Sequence, residues 1–303
     1  MKKVFKVLLF LISCILSFIS FSNIVTGMTI YEFLYPTEYE IINNELYYKK
    51  ENTKDNYSSY LEYLNKDDIY NRDDLYSMFY TILNNGYEIY TFNCNYNCLD
   101  DVNKIDSLKL SLINQLVDPK NSYKEIRTTY STDKKVTLSI KKKYSKEDIE
   151  IIDKELDRII VELKINNYPS ISDKIRVYHD YIANKNSYDQ EMANTGKSKY
   201  HSNTAIGPLF EGKAICDGYS DALALFLNKL GIENIKITND DHVWNAVRIN
   251  NTWYHIDLTW DDPIYTNGGN LTIHDYFMIT TKELKDKKDD SHSFDETIYD
   301  FIK

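Results

Sequence analysis

An α+β fold, with helices packed on an antiparallel sheet, is predicted by three features of the chain. Amphipathic helical runs follow one another between about 145 and 231, and a strand-rich hairpin succeeds them between 242 and 260. Short helices and strands are also mixed between about 28 and 143, which adds a small mixed α/β region in front of that core. With 303 residues and 43% apolar content, the chain has ample material for a buried interior.

The first residues read as a separate element. MKKVFK supplies positive charge, and VLLFLISCILSFISF (7–21) is apolar apart from small serines and Cys14. That run is short for a membrane span and fits the apolar part of an export signal. Residues 1–27 are therefore expected to be an export signal or an N-terminal membrane anchor, with 7–21 as the tether. The rest is then expected outside the cytoplasm, secreted or at the cell surface. LISC (11–14) resembles a bacterial lipoprotein signal, but the apolar run continues past the cysteine.

A formal charge of −10 with no dominant basic stripe argues against a nucleic-acid partner, although KKVTLSIKKKYSK (134–146) is a local basic patch. Cys94 and Cys98, in NCNYNCLD, are spaced so that they could close a short disulfide in an oxidising compartment, which would leave Cys216 without a partner. No further ligands stand near that pair, so neither a zinc site nor any other metal or cofactor is expected.

Within 28–143, YSSYLEYL (57–64) and DDLYSMFYTILNN (73–85) have helical spacing and GYEIYTF (86–92) has strand character. SLKLSLINQL (107–116) fits a helix or a strand, and EIRTTY and KVTLSI read as two strands around the turn STDKK. This accessory region carries no recognisable chemistry. From Ser145 the signal is firmer. Ser145 and Asp148 make a cap, and Ile149, Ile152, Leu156, Ile159 and Leu163 recur at helical spacing until Asn166, Asn167 and Pro169 stop the run. SDKIRVYHDYIANK (172–185) is a second helix, whose His179 is read as a packed histidine. A loop rich in Asn, Ser, Gly and Lys spans 186–215 and is a candidate wall for a cleft. Ala222, Leu223, Phe226, Leu227 and Leu230 then form a helical stripe closed by Gly231.

Cys216, in EGKAICDGYSDALALFL (211–227), thus falls at the start of that last helix, where unpaired backbone amides favour a thiolate over a thiol. A thiolate that performs acyl transfer needs a histidine to carry a proton and an acceptor to orient that histidine. DDHVWNAVRINNTWYHIDLTWDDP (240–263) offers both. HVWNAVRI and TWYHIDLTW read as strands joined by a tight turn at Asn250 and Asn251. A two-residue turn sets Ile249 opposite Thr252, which places Trp244 opposite Asp257, and His242 and Asp257 on one face as diagonal neighbours. His255 shares that face and is the rival base. His242 is preferred because it stands at the strand start, where a side chain can meet a helix end.

GKAICDGYSDAL, DHVWNAVRINNTWYHIDLTWDDP and DYFMIT resemble the transglutaminase-like superfamily in its bacterial secreted branch, whose fold is similar to that of papain-like cysteine proteases. The likeness covers about 145–292, within a catalytic domain expected at 144–303. It implies a papain-like core, Cys216 as nucleophile, His242 as base and Asp257 as the orienting residue. The implied activity is cysteine-dependent acyl transfer or hydrolysis at protein or peptide amides, cell-wall peptides included, through a thioester acyl-enzyme. Backbone amides around Cys216 are the expected oxyanion donors, with His201 or Asn203 of the long loop as candidate additions. Trp244 is a candidate shield against water, and Asn245 and Asp217 are candidate hydrogen-bonding supports. Asp261 and Asp262 read as turn residues. The competing expectation is a surface or cell-wall binding module that keeps the fold without activity.

Overall fold

The computed structural model describes residues 64, 67–98, 101–102, 107–262 and 272–302, all within the unit spanning Leu46–Lys303. The segment 7–21 and the helix expected at 57–64, except Leu64, lie outside the described residues. Among the described residues no helix is long and apolar enough to cross a membrane. This corrects the expectation of a membrane-anchored chain for the described residues, which do not include the segment 7–21.

The accessory region builds a four-stranded sheet in the order β1-β2-β4-β3. It runs β1 (Asp68–Ile69), α1 (Arg72–Asn84), β2 (Ile89–Cys94), α2 (Ser107–Leu116), β3 (Tyr123–Tyr130) and β4 (Lys135–Lys142). β1 and β2 are parallel and the other pairs antiparallel. The ambiguous run at 107–116 resolves as helix. Cys94, the last residue of β2, is joined to Cys98 in a disulfide.

Next come α3 (Lys146–Glu162) and α4 (Ile171–Lys185). Ser145 and Asp148 close a reciprocal capping box on α3, each satisfying a backbone amide of the other. β5 (Ser187–Tyr188), α5 (Gln190–Thr195) and β6 (Lys213–Ala214) punctuate the long loop and lead into α6 (Cys216–Lys229). Gly231 follows with φ of 68°, the left-handed conformation that ends a helix.

The second sheet runs β10-β9-β8-β7. It contains β7 (Asn234–Thr238), β8 (Val243–Ile249), β9 (Thr252–Ile256) and β10 (Phe277–Ile279), followed by α7 (Thr281–Asp286). Asn250 and Asn251 both take positive φ, as a tight primed turn requires, and Ile249 pairs with Thr252 as expected. β9 ends sooner than the sequence suggests, at Ile256 rather than Trp260. Asp257 Oδ1 accepts the backbone N–H groups of Thr259 and Trp260, which folds the chain into a turn there.

This sheet separates two apolar clusters. Ile235, Ile237, Trp244, Ala246 and Trp253 pack with Leu75, Phe79, Phe92, Val136 and Leu138 of the accessory region. Val247, Ile256 and Leu258 pack with the helices, among them Ile152, Leu156, Tyr178, Leu223 and Phe226. The architecture is α+β, helices packed on sheets, consistent with a papain-like or transglutaminase-like core.

Candidate active site

Cys216 is the first residue of α6 and is partly exposed. The preceding Ile215 supplies no side-chain hydrogen bond to the first turn, so those amides take no cap from that side chain. Several contacts fix where the helix begins. Ser220 Oγ donates to the Val243 carbonyl at 3.0 Å, and Asn245 Nδ2 donates to the Ser220 carbonyl at 3.0 Å. Tyr219 donates its hydroxyl to Asp262 at 2.5 Å. α6 is therefore fastened within one turn of Cys216 to the strand that follows His242 and to the loop that follows Asp257.

A buried charge cluster holds the other side of the helix. Asp221 is fully buried and accepts from Lys143 at 2.7 Å, Lys236 at 2.5 Å and the Tyr144 hydroxyl at 2.6 Å. Burial alone would favour its neutral form, but the two ammonium groups outweigh that and hold its pKa at about 2. The Tyr144 oxygen also accepts the Ala205 amide, which draws the long loop into the same cluster.

His242 stands just before β8, and its backbone N–H donates to Asn239 Oδ1 at 2.8 Å. Its Nε2 lies 2.5 Å from Asp257 Oδ2. Burial disfavours the imidazolium, yet the Asp257 charge and hydrogen bond, followed by the Cys216 thiol beside the ring, raise the pKa to about 9. Asp257 is buried, and its carboxyl is nonetheless held far below the usual range by His242 first and by His292. The structure thus brings Cys216, His242 and Asp257 to one place, from a helix start and two strand ends. The arrangement sets an imidazolium, held by a carboxylate, beside a cysteine side chain.

The remaining candidates are distributed differently. Trp244 is buried and stacks against His242, with ring centroids 5.7 Å apart, so it forms the apolar back wall of the imidazole. Its indole N–H donates to His255 Nδ1 at 3.1 Å. His255 is buried, with burial and then the His292 charge lowering its pKa to about 3, so it is a neutral acceptor in the core and no longer a rival base. Asn245 points to the opposite face of β8 and acts as the fastening to α6 described above. Asp217, His201 and Asn203 line a cavity of about 560 Å³ together with Lys143 and Lys236. His201 is turned toward Glu211 at 2.8 Å and is largely exposed.

Asp261 is fully buried rather than an open turn residue. It accepts from His179 at 3.1 Å and from the Tyr276 amide at 2.9 Å. His179 also meets Asp180, which His274 contacts at 2.6 Å. His179, Asp180 and His274, and likewise His242, Asp257 and His292, bring potential metal-ligand atoms within 4.8 Å of one another. In both clusters hydrogen bonds already link those nitrogen and oxygen atoms.

His292 is the residue the sequence did not disclose. It lies 35 positions beyond Asp257 and donates Nε2–H to the same Oδ2 at 2.8 Å. It sits in a short non-periodic stretch, DDSHSFD, where the one local sign is an aspartate three residues earlier.

Residues 160–258 match the profile of the transglutaminase-like superfamily, a stretch that includes Cys216, His242 and Asp257. No curated protein matches the chain. Among solved structures, a crystal structure of a TGase is 20% identical, with 57% of this chain and 51% of that one covered and a TM-score of 0.33. A candidate cysteine protease from Cytophaga hutchinsonii is 13% identical, with 49% and 65% covered and a TM-score of 0.29. The chain therefore spans between about half and two thirds of these two proteins. The fold assignment rests on the superfamily match and on the architecture itself.

Proposed function

We propose that this chain is an exported cysteine-dependent acyl-transferase or hydrolase that acts on protein or peptide amides. The observation that carries the reading is the His242–Asp257 pair set against a cysteine at the start of α6. Cys216 Sγ attacks the amide carbonyl carbon while first-turn amides of α6 face the developing oxyanion. As the C–N bond breaks, the proton held by His242 passes to the leaving amine, and a thioester remains on Cys216. Water that gives its proton to His242 then releases an acid, whereas an amine at the same position forms a new amide. Export is supported by the apolar run near the start and by the Cys94–Cys98 disulfide, a bond that suits an oxidising compartment.

The test is direct detection of the thioester. Full-length protein is mixed with a glutamine-containing peptide and, separately, with an activated peptide ester, then quenched in acid for intact-mass measurement. The expected result is an acyl adduct on Cys216 that is absent in Cys216→Ala and accumulates in His242→Ala only with the activated ester. An adduct that survives Cys216→Ala, or none with either substrate, overturns the catalytic reading and favours a binding module. Fractionation of expressing cells tests export, with retention in the cytoplasm as the refuting result.

A further inference from the structure

Asp257 Oδ2 is shared. His242 and His292 each direct Nε2 at this one oxygen, at 2.5 and 2.8 Å, with their rings edge to face 5.3 Å apart. Oδ1 is occupied by the backbone amides of Thr259 and Trp260. The carboxylate is therefore fixed from four directions, and of the two imidazoles it is His242 that lies beside the thiol.

His292 is itself held from behind. It is buried at the end of a short 3-10 turn, Asp290–His292, and its Nδ1 lies 2.9 Å from Asp289 Oδ2. Asp289 in turn accepts the Tyr276 hydroxyl at 2.9 Å and the Ser291 amide at 3.0 Å. The His292 ring stacks on Tyr276 at 4.4 Å and meets Trp244 and Trp260 edge-on at 5.1 Å each. With a carboxylate at each nitrogen, only the doubly protonated ring can donate both hydrogen bonds. Asn239 adds a mechanical link: its Oδ1 accepts the His242 amide, and its Nδ2 donates to the carbonyls of Ser291 and Ser293 on either side of His292.

We propose that His292, backed by Asp289, is a positioning residue of the Cys216–His242–Asp257 site that divides the Asp257 carboxylate with the base and limits how tightly the base holds its proton. The inference rests on the acyl-transfer reading above. An aspartate that served His242 alone would hold an imidazolium more firmly and slow the return of its proton to the leaving amine. A second cation on the same oxygen opposes that. The charged or titratable groups that face His292 are Asp257 and His242 from the hairpin, neutral His255 on β9, and Asp289 on its own turn. Tyr276 lies against His292, with the Lys287 ammonium 4.7 Å above the Tyr276 ring, and Lys285, Lys288, Asp290 and Glu296 line a cavity together with His292.

The experiment follows carboxymethylation of Cys216 by iodoacetate against pH in the full chain. This anionic reagent is drawn by the His242 imidazolium, so its rate falls on the alkaline side as that ring loses its proton, near pH 9. His292→Gln removes the cation. Asp289→Asn weakens its protonation without altering the ring packing. His292→Gln is expected to move the alkaline limb upward by about two pH units, the scale of a unit charge 5.3 Å away near a protein surface, and Asp289→Asn to move it in the same direction by less. Folded variants whose limbs do not move, even if their melting temperatures drop, overturn the role of His292, provided that His242→Ala abolishes the limb. A limb that persists in His242→Ala overturns the site reading itself and the role of His292 with it.

Discussion

Replacing Asp257 with asparagine separates orientation from charge at the site. The introduced amide would still offer an oxygen to the backbone N–H groups of Thr259 and Trp260, but its NH₂ would face two imidazole N–H groups. His242 would then keep its burial and lose the charge that outweighs burial, so its pKa should fall from about 9 to below the ordinary 6.5. That change of at least 2.5 units amounts to about 3 kcal/mol withdrawn from the imidazolium. Near pH 6 the Cys216 alkylation rate should drop on the order of 10², and turnover by up to about 10⁴, the cost of the same substitution in a serine triad. Stability should follow the same pair. His242 contributes fully below 6.5, and its contribution is lost as pH rises through about 9. Asp257 contributes above its unfolded value of about 4, and its contribution is lost as pH falls toward its depressed folded value. The gap in melting temperature between wild type and Asp257→Asn should therefore be widest between about pH 4 and 6.5 and narrow above about 9. Mass-spectrometric alkylation and pH-resolved melts read both arms. An unchanged alkylation rate near pH 6 in a folded variant would refute the reasoning.

Three other perturbations reach the site from a distance. A methyl group at Gly218 would come within 2.2 Å of the Ser202 carbonyl oxygen and 3.0 Å of that of Thr204, so Gly218→Ala should cost about 3 kcal/mol in denaturant unfolding and slow Cys216 alkylation; a wild-type midpoint would contradict this. Asp221→Asn leaves the buried Lys236 ammonium and the half-buried Lys143 ammonium without this carboxylate, and a loss of about 3–5 kcal/mol, seen as a melting temperature lower by roughly 10 °C, is expected. A chain beginning at Ser145 would uncover Ile235, Ile237, Trp244 and Trp253 and remove Lys143 and Tyr144 from Asp221, so it should bind hydrophobic dye and melt without cooperativity. A sharp, dye-silent melt of that fragment would show instead that residues 145–303 are self-sufficient.

The hairpin was legible because three local signals agree: an Asn-Asn turn, alternation of apolar residues on both arms, and a two-residue loop that leaves a single register. Ser145 and Asp148 announced α3 for the same reason, a short-range rule with one outcome. The end of β9 was misjudged because period-2 alternation continues through Leu258 and Trp260, while a side chain of Asp257 takes over the amides that a strand would have paired. His255 and His242 could be ranked only by position in the sequence; the partners that separate them, Trp244 and Thr281 for one and Asp257 for the other, are tertiary. His292 was invisible for a stronger version of this reason. It belongs to a non-periodic loop, and its meaning depends on a carboxylate far away in the chain.

β8 has no idle side. Trp244 and Ala246 face the cluster shared with the accessory region, and Val247 on the alternate face joins the helical cluster. A slip of one residue would exchange these sets and turn Asn245 toward the first cluster while pulling it away from Ser220. The error would thus be penalised in two interiors at once, and the spacing of His242 and Asp257 inherits that double proofreading. Mutations drifting through residues 68–140, remote from the thiol in sequence, are read by the same strand that carries His242 into place.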